Sequence, residues 1–102
     1  MIIVEGWVKL ASGEIDRLRE QALVMLEETR KEEGCVSYAF SVPIDDPDTL
    51  RIAEVWNSQE ALDAHGQTPH MAEFGKSLRE AKILEASLKS YQAEEGRTLL
   101  GG

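Results

Sequence analysis

The residue types suited to acid–base chemistry on an aromatic molecule are concentrated between positions 38 and 74. Histidine titrates near neutral pH, and the two histidines of the chain are His65 and His70. A predicted strand before them carries Glu54 and Trp56 two positions apart, which places both side chains on one face of the strand. A base beside aromatic side chains could take the proton of a bound phenol. These residues therefore predict a general acid–base site.

Each of these side chains also has an ordinary structural interpretation. Trp56 is more often a core residue than a ligand contact, Tyr38 is a common strand residue, and Glu54 could pair with a basic residue at the rim. Two inward-facing histidines beside an inward-facing glutamate are harder to explain in this way. Buried polar groups cost free energy unless they pair with one another or with a ligand. Which histidine is the base stays open.

A metal site made of Glu54, His65 and His70 is an alternative use of the same side chains. Carboxylate and imidazole are suitable ligands for zinc or non-haem iron. Gly66 and Pro69 lie between the two histidines, so the histidines do not stack on one helical turn. The sequence has no HExxH motif, no cysteine pair and no carboxylate-rich loop. We therefore predict that activity needs no metal and no organic cofactor.

The single cysteine, Cys35, has no partner for an internal disulfide. It lies in a predicted strand, and no neighbour in sequence would lower the pKa of its thiol. We interpret it as a small apolar residue, not as a nucleophile.

Length and charge limit the class of protein. A chain of 102 residues, 42% of them hydrophobic, forms one domain. Nineteen acidic residues against eleven basic ones give a net charge of −8, which repels phosphate and predicts no nucleic-acid binding. The sequence shows no signal-peptide pattern and no apolar run of membrane-spanning length. We expect a cytoplasmic protein with no membrane partner.

Hydrophobic periodicity predicts three helices and four strands. In chain order we predict a strand at 2–10, a helix at 14–32 ended by Gly34, strands at 35–42 and 49–56, a helix from Asn57 or Ser58 to His65, a helix from Pro69 to about Arg79 capped by Thr68, and a strand at about 83–94. Residues 1–95 form the predicted domain, and residues 96–102 form a predicted flexible tail.

This order predicts an α+β fold of the ferredoxin-like, split β-α-β kind, with a four-stranded antiparallel sheet and helices on one face. The first strand is apolar on both faces, with Ile2 and Val4 on one side and Ile3 and Trp7 on the other. A second subunit would cover the face that the helices leave open, so we predict a homodimer.

The second and third predicted strands form a hairpin around the turn residues 43–48. A symmetric turn places Tyr38 opposite Glu54 and Val36 opposite Trp56, with all four side chains on one face. A register slip of one residue would break this arrangement.

Two stretches of the chain carry a family-like pattern of residues. One stretch runs from Val55 to His65 and continues from Thr68 to Phe74 as TPHMAEF. The other runs from Arg30 to Tyr38 and contains the pattern E-x-G-C-x-x-Y. Both stretches resemble the antibiotic biosynthesis monooxygenase family, and within it the quinol-monooxygenase-like branch. The resemblance covers about residues 2–94. It implies a dimeric α/β barrel with a pocket in each subunit between sheet and helices.

The resemblance also implies a cofactor-independent monooxygenase that oxidises a hydroquinone or a polycyclic phenol with molecular oxygen. His65 or His70 would be the base, Tyr38 would hydrogen-bond a substrate oxygen, and Glu54 would orient a histidine. The residues expected to hold the small aromatic substrate are Trp56, Met71 and Phe74. We expect one cavity between the sheet and the helices to be lined by Tyr38, Glu54, Trp56, His65 and His70.

Other activities of the same fold fit less well. Haem-degrading relatives carry an asparagine, a tryptophan and a histidine where this chain has Gly6 or Trp7, His65 and about Gly75. Sugar-phosphate isomerases of this fold would need a phosphate site, and the chain shows no glycine-rich phosphate loop or arginine clamp. An isomerase, or a non-catalytic small-molecule-binding or stress-response protein, stays an alternative because fold alone does not determine activity.

Overall fold

The structure of the protein is a computed structural model that describes residues 1–101. Its elements in chain order are β1 (Ile2–Leu10), α1 (Glu14–Thr29), β2 (Cys35–Ser41), β3 (Thr49–Trp56), α2 (Gln59–His65), α3 (Pro69–Glu80) and β4 (Ile83–Gln92). The strands form one antiparallel sheet in the order β2-β3-β1-β4. The predicted ferredoxin-like α+β fold is therefore confirmed.

The core lies between one face of the sheet and the helices. Leu18 and Met25 of α1 and Phe74 of α3 are buried against alternate residues of the central strands. This is the spacing expected of an amphipathic helix on a half-buried sheet. None of the helices within residues 1–101 has the length and apolar character needed to cross a membrane.

The first helix is shorter than its periodicity predicted. It ends at Thr29 and not at Glu32, and Gly34 lies in the following turn with a φ of 86°. The Gly34 carbonyl accepts a hydrogen bond of 2.9 Å from the backbone N–H of Asn57, where β3 ends. A side chain at position 34 would collide with Asn57 and Ala61. The turn therefore holds Glu32 close to the end of β3 and the start of α2.

Two hydroxyl caps determine how α2 and α3 follow one another. Ser58 accepts a hydrogen bond from the backbone N–H of Ala61 and begins α2. Thr68 accepts from the backbone N–H of Met71 and donates to the carbonyl of His65 at 2.8 Å. The end of α2 and the start of α3 are thus linked through one side chain, which brings the two histidines together.

The predicted pairing of β2 with β3 is confirmed at the centre of the hairpin and wrong at its open end. Tyr38 pairs with Glu54 as predicted, but Cys35 and not Val36 lies opposite Trp56. The register shifts between Cys35 and Ser37, because a β-bulge adds one residue to β2. Val36 is consequently 64% exposed and does not join the inward-facing side chains.

Residues 93–101 follow β4 without forming a helix or strand, and Leu99 and Leu100 are exposed. The flexibility of residues 96–102 stays a prediction, and Gly102 lies outside the described residues.

Candidate active site

One carboxylate contacts both histidines of the chain. Glu32 Oε2 lies 2.7 Å from His65 Nδ1 and 2.7 Å from His70 Nε2. The three side chains come from the turn after α1, the end of α2 and the first turn of α3. The sequence predicted Glu54 as the carboxylate that orients a histidine, whereas Glu32 makes this contact in the structure. The Glu32 side chain extends from the turn after α1 to the histidines, and hydrophobic periodicity cannot predict a contact of this kind.

His65 is the deeper of the two histidines. It is 3% exposed, and its ring centroid lies 4.8 Å from that of Trp56 and 5.5 Å from that of Tyr38. A neutral His65 that donates its Nδ1 proton to Glu32 keeps a free lone pair on Nε2. Within residues 1–101, Nε2 makes no hydrogen bond. The arrangement is that of an imidazole oriented by a carboxylate and available as a base.

Glu54 pairs with the tryptophan two residues later. The Trp56 Nε1–H donates a hydrogen bond of 2.9 Å to Glu54 Oε1, and both side chains are buried. Burial raises the pKa of Glu54, the hydrogen bond from Trp56 and the nearby His65 lower it, and the charge of Glu32 raises it again. The net shift is upward, so Glu54 is a carboxyl group whose charged form is poorly solvated.

Tyr38 is part of the apolar core and lies near the carboxyl groups of Glu54 and Glu32. Burial raises the pKa of its phenol, and the charges of Glu54 and Glu32 raise it further. The hydroxyl therefore keeps its proton at neutral pH and can donate a hydrogen bond to a ligand oxygen. Its backbone carbonyl accepts two hydrogen bonds from the Arg30 guanidinium, at 2.9 and 3.0 Å, which hold this part of β2 against the end of α1.

Phe40 contacts both Tyr38 and Phe74, which is one of the residues predicted to hold a substrate ring. It stacks on Phe74 with a centroid distance of 5.3 Å and meets Tyr38 edge to face at 5.3 Å. Met71 packs against the same buried cluster as Phe74 and Trp56. Met71 and Phe74 therefore lie close to the predicted site, inside the packed core.

An apolar cavity of about 250 Å³ lies on the other side of Phe40, between α1 and the sheet. Its lining comes mainly from α1 and β2: Ile15, Leu18, Arg19, Ala22, Leu23, Leu26, Phe40, Ser41, Val42 and Leu50. None of the seven side chains predicted for the site is part of this lining. The structure thus brings Tyr38, Glu54, Trp56, His65 and His70 together as a packed cluster, with Phe40 between that cluster and the cavity.

Sequence reasoning missed two residues of this region. Glu32 is one of several acidic residues near the end of the first helix, and nothing in the local sequence distinguishes it from Glu33. Phe40 alternates with Tyr38 on the inward face of β2, so its inward position had a signal that was not used for the site.

The unfolding free energy should respond to the charge of Glu54. We expect Glu54→Gln to be more stable than the original protein at neutral pH, because an amide needs no buried charge and still accepts from Trp56. A raised pKa in the folded state means that the cost of the charged form is absent below the unfolded-state pKa, about 4.5, and appears as the pH rises through the folded-state value. The stability difference between Glu54→Gln and the original protein should therefore be largest near pH 7 and should become small at acidic pH.

Urea unfolding at a series of pH values measures this difference. Glu60→Gln, which removes an exposed carboxylate from the first turn of α2, is the matched control. A gap between Glu54→Gln and the original protein that does not change with pH would contradict the interpretation.

Both the sequence and the fold are similar to those of known proteins. The sequence profile described as antibiotic biosynthesis monooxygenase matches residues 1–77. An uncharacterized Synechocystis protein is 31% identical over 98 residues, covering 96% of this chain and 67% of that protein. The Escherichia coli K12 protein named "Probable quinol monooxygenase YgiN" is 29% identical over 102 aligned residues, covering 90% of this chain and 97% of that protein.

A solved structure from Deinococcus radiodurans has the same fold over the whole length. Its TM-score is 0.89 at 24% identity, with 99% of this chain and 100% of that chain covered. The match to the family profile extends from β1 through most of α3 and includes Glu32, both histidines and the hairpin. The chain therefore belongs to the antibiotic biosynthesis monooxygenase family.

Proposed function

We propose that the protein is a monooxygenase that oxidises a small hydroquinone with molecular oxygen, and that His65 is its general base. The observation that supports this most directly is the part-buried contact of His65 Nδ1 with Glu32, which leaves Nε2 free beside two aromatic rings. Membership of a monooxygenase family supports the reaction type. The name of the Escherichia coli relative supports a quinol substrate.

The chemistry needs a proton acceptor and a stabiliser of negative charge. His65 Nε2 takes a phenolic proton, and the resulting anion is a better electron donor to oxygen than the neutral ring. The Tyr38 hydroxyl donates a hydrogen bond to the substrate oxygen and stabilises this charge in a site with little water. One oxygen atom forms a new C–O bond on the ring, and the other leaves as water with two hydrogens from the substrate. A hydroquinone plus O₂ thus gives a hydroxyquinone plus water, with the substrate as the only electron donor.

The size and lining of the apolar cavity favour a small substrate over a polycyclic one. Its volume of about 250 Å³ lies below the range of about 300–1,000 Å³ usual for ligand pockets. Arg19 is the only charged residue in a lining made mostly of aliphatic side chains and Phe40. We propose that the substrate ring enters through this cavity and that a rotamer change of Phe40 brings it to His65.

Filling the cavity should weaken substrate binding without touching the base. Ala22 lines the cavity from α1, so we expect Ala22→Phe to raise KM about tenfold or more, with a smaller change in kcat. Val24→Phe places the same ring on an exposed position of that helix and should leave KM unchanged. Steady-state kinetics of both variants tests this expectation. Thermal unfolding of both is measured as well, because overpacking costs about 1–3 kcal/mol of stability. Equal KM values for the two variants would remove the cavity from the proposed substrate path.

Oxygen consumption tests the function itself. Chelator-treated protein should consume one O₂ per molecule of hydroquinone in a panel that also contains anthrone-like phenols, and the product should gain one oxygen atom from ¹⁸O₂. Calorimetric binding of the same compounds without oxygen uptake would contradict the proposal and favour a non-catalytic binding protein. Activity that appears only after a metal ion is added back would contradict the cofactor-independent mechanism.

We also propose that two copies pair through the sheet face that the helices leave open. Ile3, Trp7 and Val55 lie on this face, and Tyr91 of the edge strand β4 is 50% exposed beside Ile3. A second subunit would remove this apolar surface from water. Sedimentation at micromolar concentration should give a dimer, and Trp7→Glu should give a monomer. Val24→Glu, an exposed position on α1, should stay dimeric; a monomeric original protein would contradict the proposal.

A further inference from the structure

We infer that Glu32, His65 and His70 form a binding site for one divalent transition-metal ion, with Zn²⁺ as the best match. The inference goes beyond the proposed function, which uses no metal. It concerns a second state of the same three side chains, in which an ion takes the place of the protons that now link them.

The three donor atoms lie close together. Glu32 Oε2, His65 Nδ1 and His70 Nε2 all lie within 4.8 Å of one another. In a tetrahedral site with ligand distances of about 2.0–2.2 Å, the ligand atoms lie about 3.3–3.6 Å from one another. Zinc binding therefore requires the two histidine nitrogens to approach each other from a separation of up to 4.8 Å, and Glu32 Oε2 to move away from both by less than about 1 Å. Rotations of these side chains can make both changes. Two imidazoles and one carboxylate, with a position left for water, are a known zinc ligand set.

The local charge favours a cation. Glu54 is 6% exposed, and the Glu32 carboxylate side chain is 14% exposed. Within residues 1–101, neither carboxylate forms an ion pair with a lysine or arginine, and Glu32 is paired with the two histidines alone. Two poorly solvated carboxyl groups without a lysine or arginine partner favour a bound cation, and a dication offsets their negative charge.

The backbone holds the three ligands before any ion arrives. Gly34 connects the turn carrying Glu32 to Asn57, and Thr68 connects the carbonyl of His65 to the helix that carries His70. The side chains of Glu32 and His70 are 14% and 15% exposed, so one side of the site is open to solvent. A preorganised and partly open set of ligands is what a metal site requires.

Occupancy by an ion and the proposed base function exclude one another. A metal on His65 Nδ1 displaces the proton there, and the neutral ring then carries its proton on Nε2. The Nε2 atom becomes a donor and can no longer accept the proton of a phenol. This consequence rests on the proposed function, whereas the binding site itself does not.

The site is tested by metal binding to untagged, chelator-treated protein in the absence of any substrate. Titration with Co²⁺ should give the visible absorption bands of a four- or five-coordinate ion at one equivalent per chain, without a cobalt–thiolate charge-transfer band. Calorimetry with Zn²⁺ should give the same stoichiometry. Glu32→Gln and His70→Ala should each weaken Zn²⁺ binding about 100-fold or more, since loss of a direct ligand exceeds the 10–100-fold cost of a lost supporting contact.

Two control variants decide whether the ion binds at these residues. Glu33→Gln removes the neighbouring exposed carboxylate, and Cys35→Ser removes the one thiol; both should bind Zn²⁺ as the original protein does. Circular dichroism of each variant confirms that it is folded. The inference is overturned if Zn²⁺ and Co²⁺ show no saturable binding, or if folded Glu32→Gln and His70→Ala both retain the original affinity. It is equally overturned if Cys35→Ser abolishes binding. Because no substrate is present, these outcomes are independent of whether the protein is an oxygenase.

Discussion

Replacing His65 by alanine is expected to lower turnover of the hydroquinone by about 10²–10⁴-fold, the contribution typical of a positioned general base. His65 is the histidine with a buried ring against Trp56 and Tyr38, and its Nε2 makes no hydrogen bond within residues 1–101. Glu32 keeps its contact with His70 in this variant, so the carboxylate is not left without a partner. The loss should therefore appear in kcat and not as unfolding.

The pH profile and chemical rescue distinguish a base from a structural residue. The limb of the kcat/KM profile that reports deprotonation of the base should disappear in His65→Ala, and added imidazole should restore part of the turnover. His70→Ala is the matched control, because His70 contacts the same Glu32 oxygen but lies nearer the surface. It should keep the pH limb and lose less activity. A folded His65→Ala variant with unchanged turnover would show that His65 is not the base.

Replacing Trp56 by alanine is expected to destabilise the fold by about 3–5 kcal/mol, the usual cost of deleting a large aromatic core side chain. Trp56 is 0% exposed, and it also donates the hydrogen bond that Glu54 accepts. A typical domain has a free energy of unfolding of only about 5–15 kcal/mol, so the variant should lose a large part of its stability. Urea unfolding followed by far-UV circular dichroism measures the loss without depending on tryptophan fluorescence.

Trp56→Phe separates the packing of the ring from the hydrogen bond. Phenylalanine keeps most of the apolar contacts but leaves the buried Glu54 without its donor, which should cost about 1–3 kcal/mol. This cost should shrink as the pH falls, because burial has raised the pKa of Glu54 and its neutral form needs the hydrogen bond less. A Trp56→Phe variant as stable as the original protein at neutral pH would contradict the role of this hydrogen bond.

Local signals in the sequence were sufficient for the elements that carry the site. The bounds of β1 and β3 agree with their alternation, and Thr68-Pro69 begins α3 as capping chemistry requires. The pairing of Tyr38 with Glu54 followed from the turn between their strands. These features depend on residues close together in the chain, so the sequence pattern contains the information that determines them.

The carboxylate that contacts the histidines could not be predicted in the same way. Glu32 lies 33 positions before His65 and 38 before His70, and its contacts need α1 to end early and the turn at Gly34 to pack beside α2. The resemblance to a family located the region but did not single out Glu32. Its role became visible only when the distances between atoms were available.

Sequence patterns are sufficient to derive the order of strands and helices, the class of fold, the family and the inward-facing positions of the two histidines. Atomic coordinates are needed for three further features: the contact of Glu32 with those histidines, the β-bulge that removes Val36 from the inward face, and the position of Phe40 between the cluster and the cavity. The difference lies in how far apart in the chain the interacting residues are. Propensity, capping and periodicity act over a few residues, whereas a bulge, a side chain reaching across a turn and an unfilled volume depend on how distant segments pack.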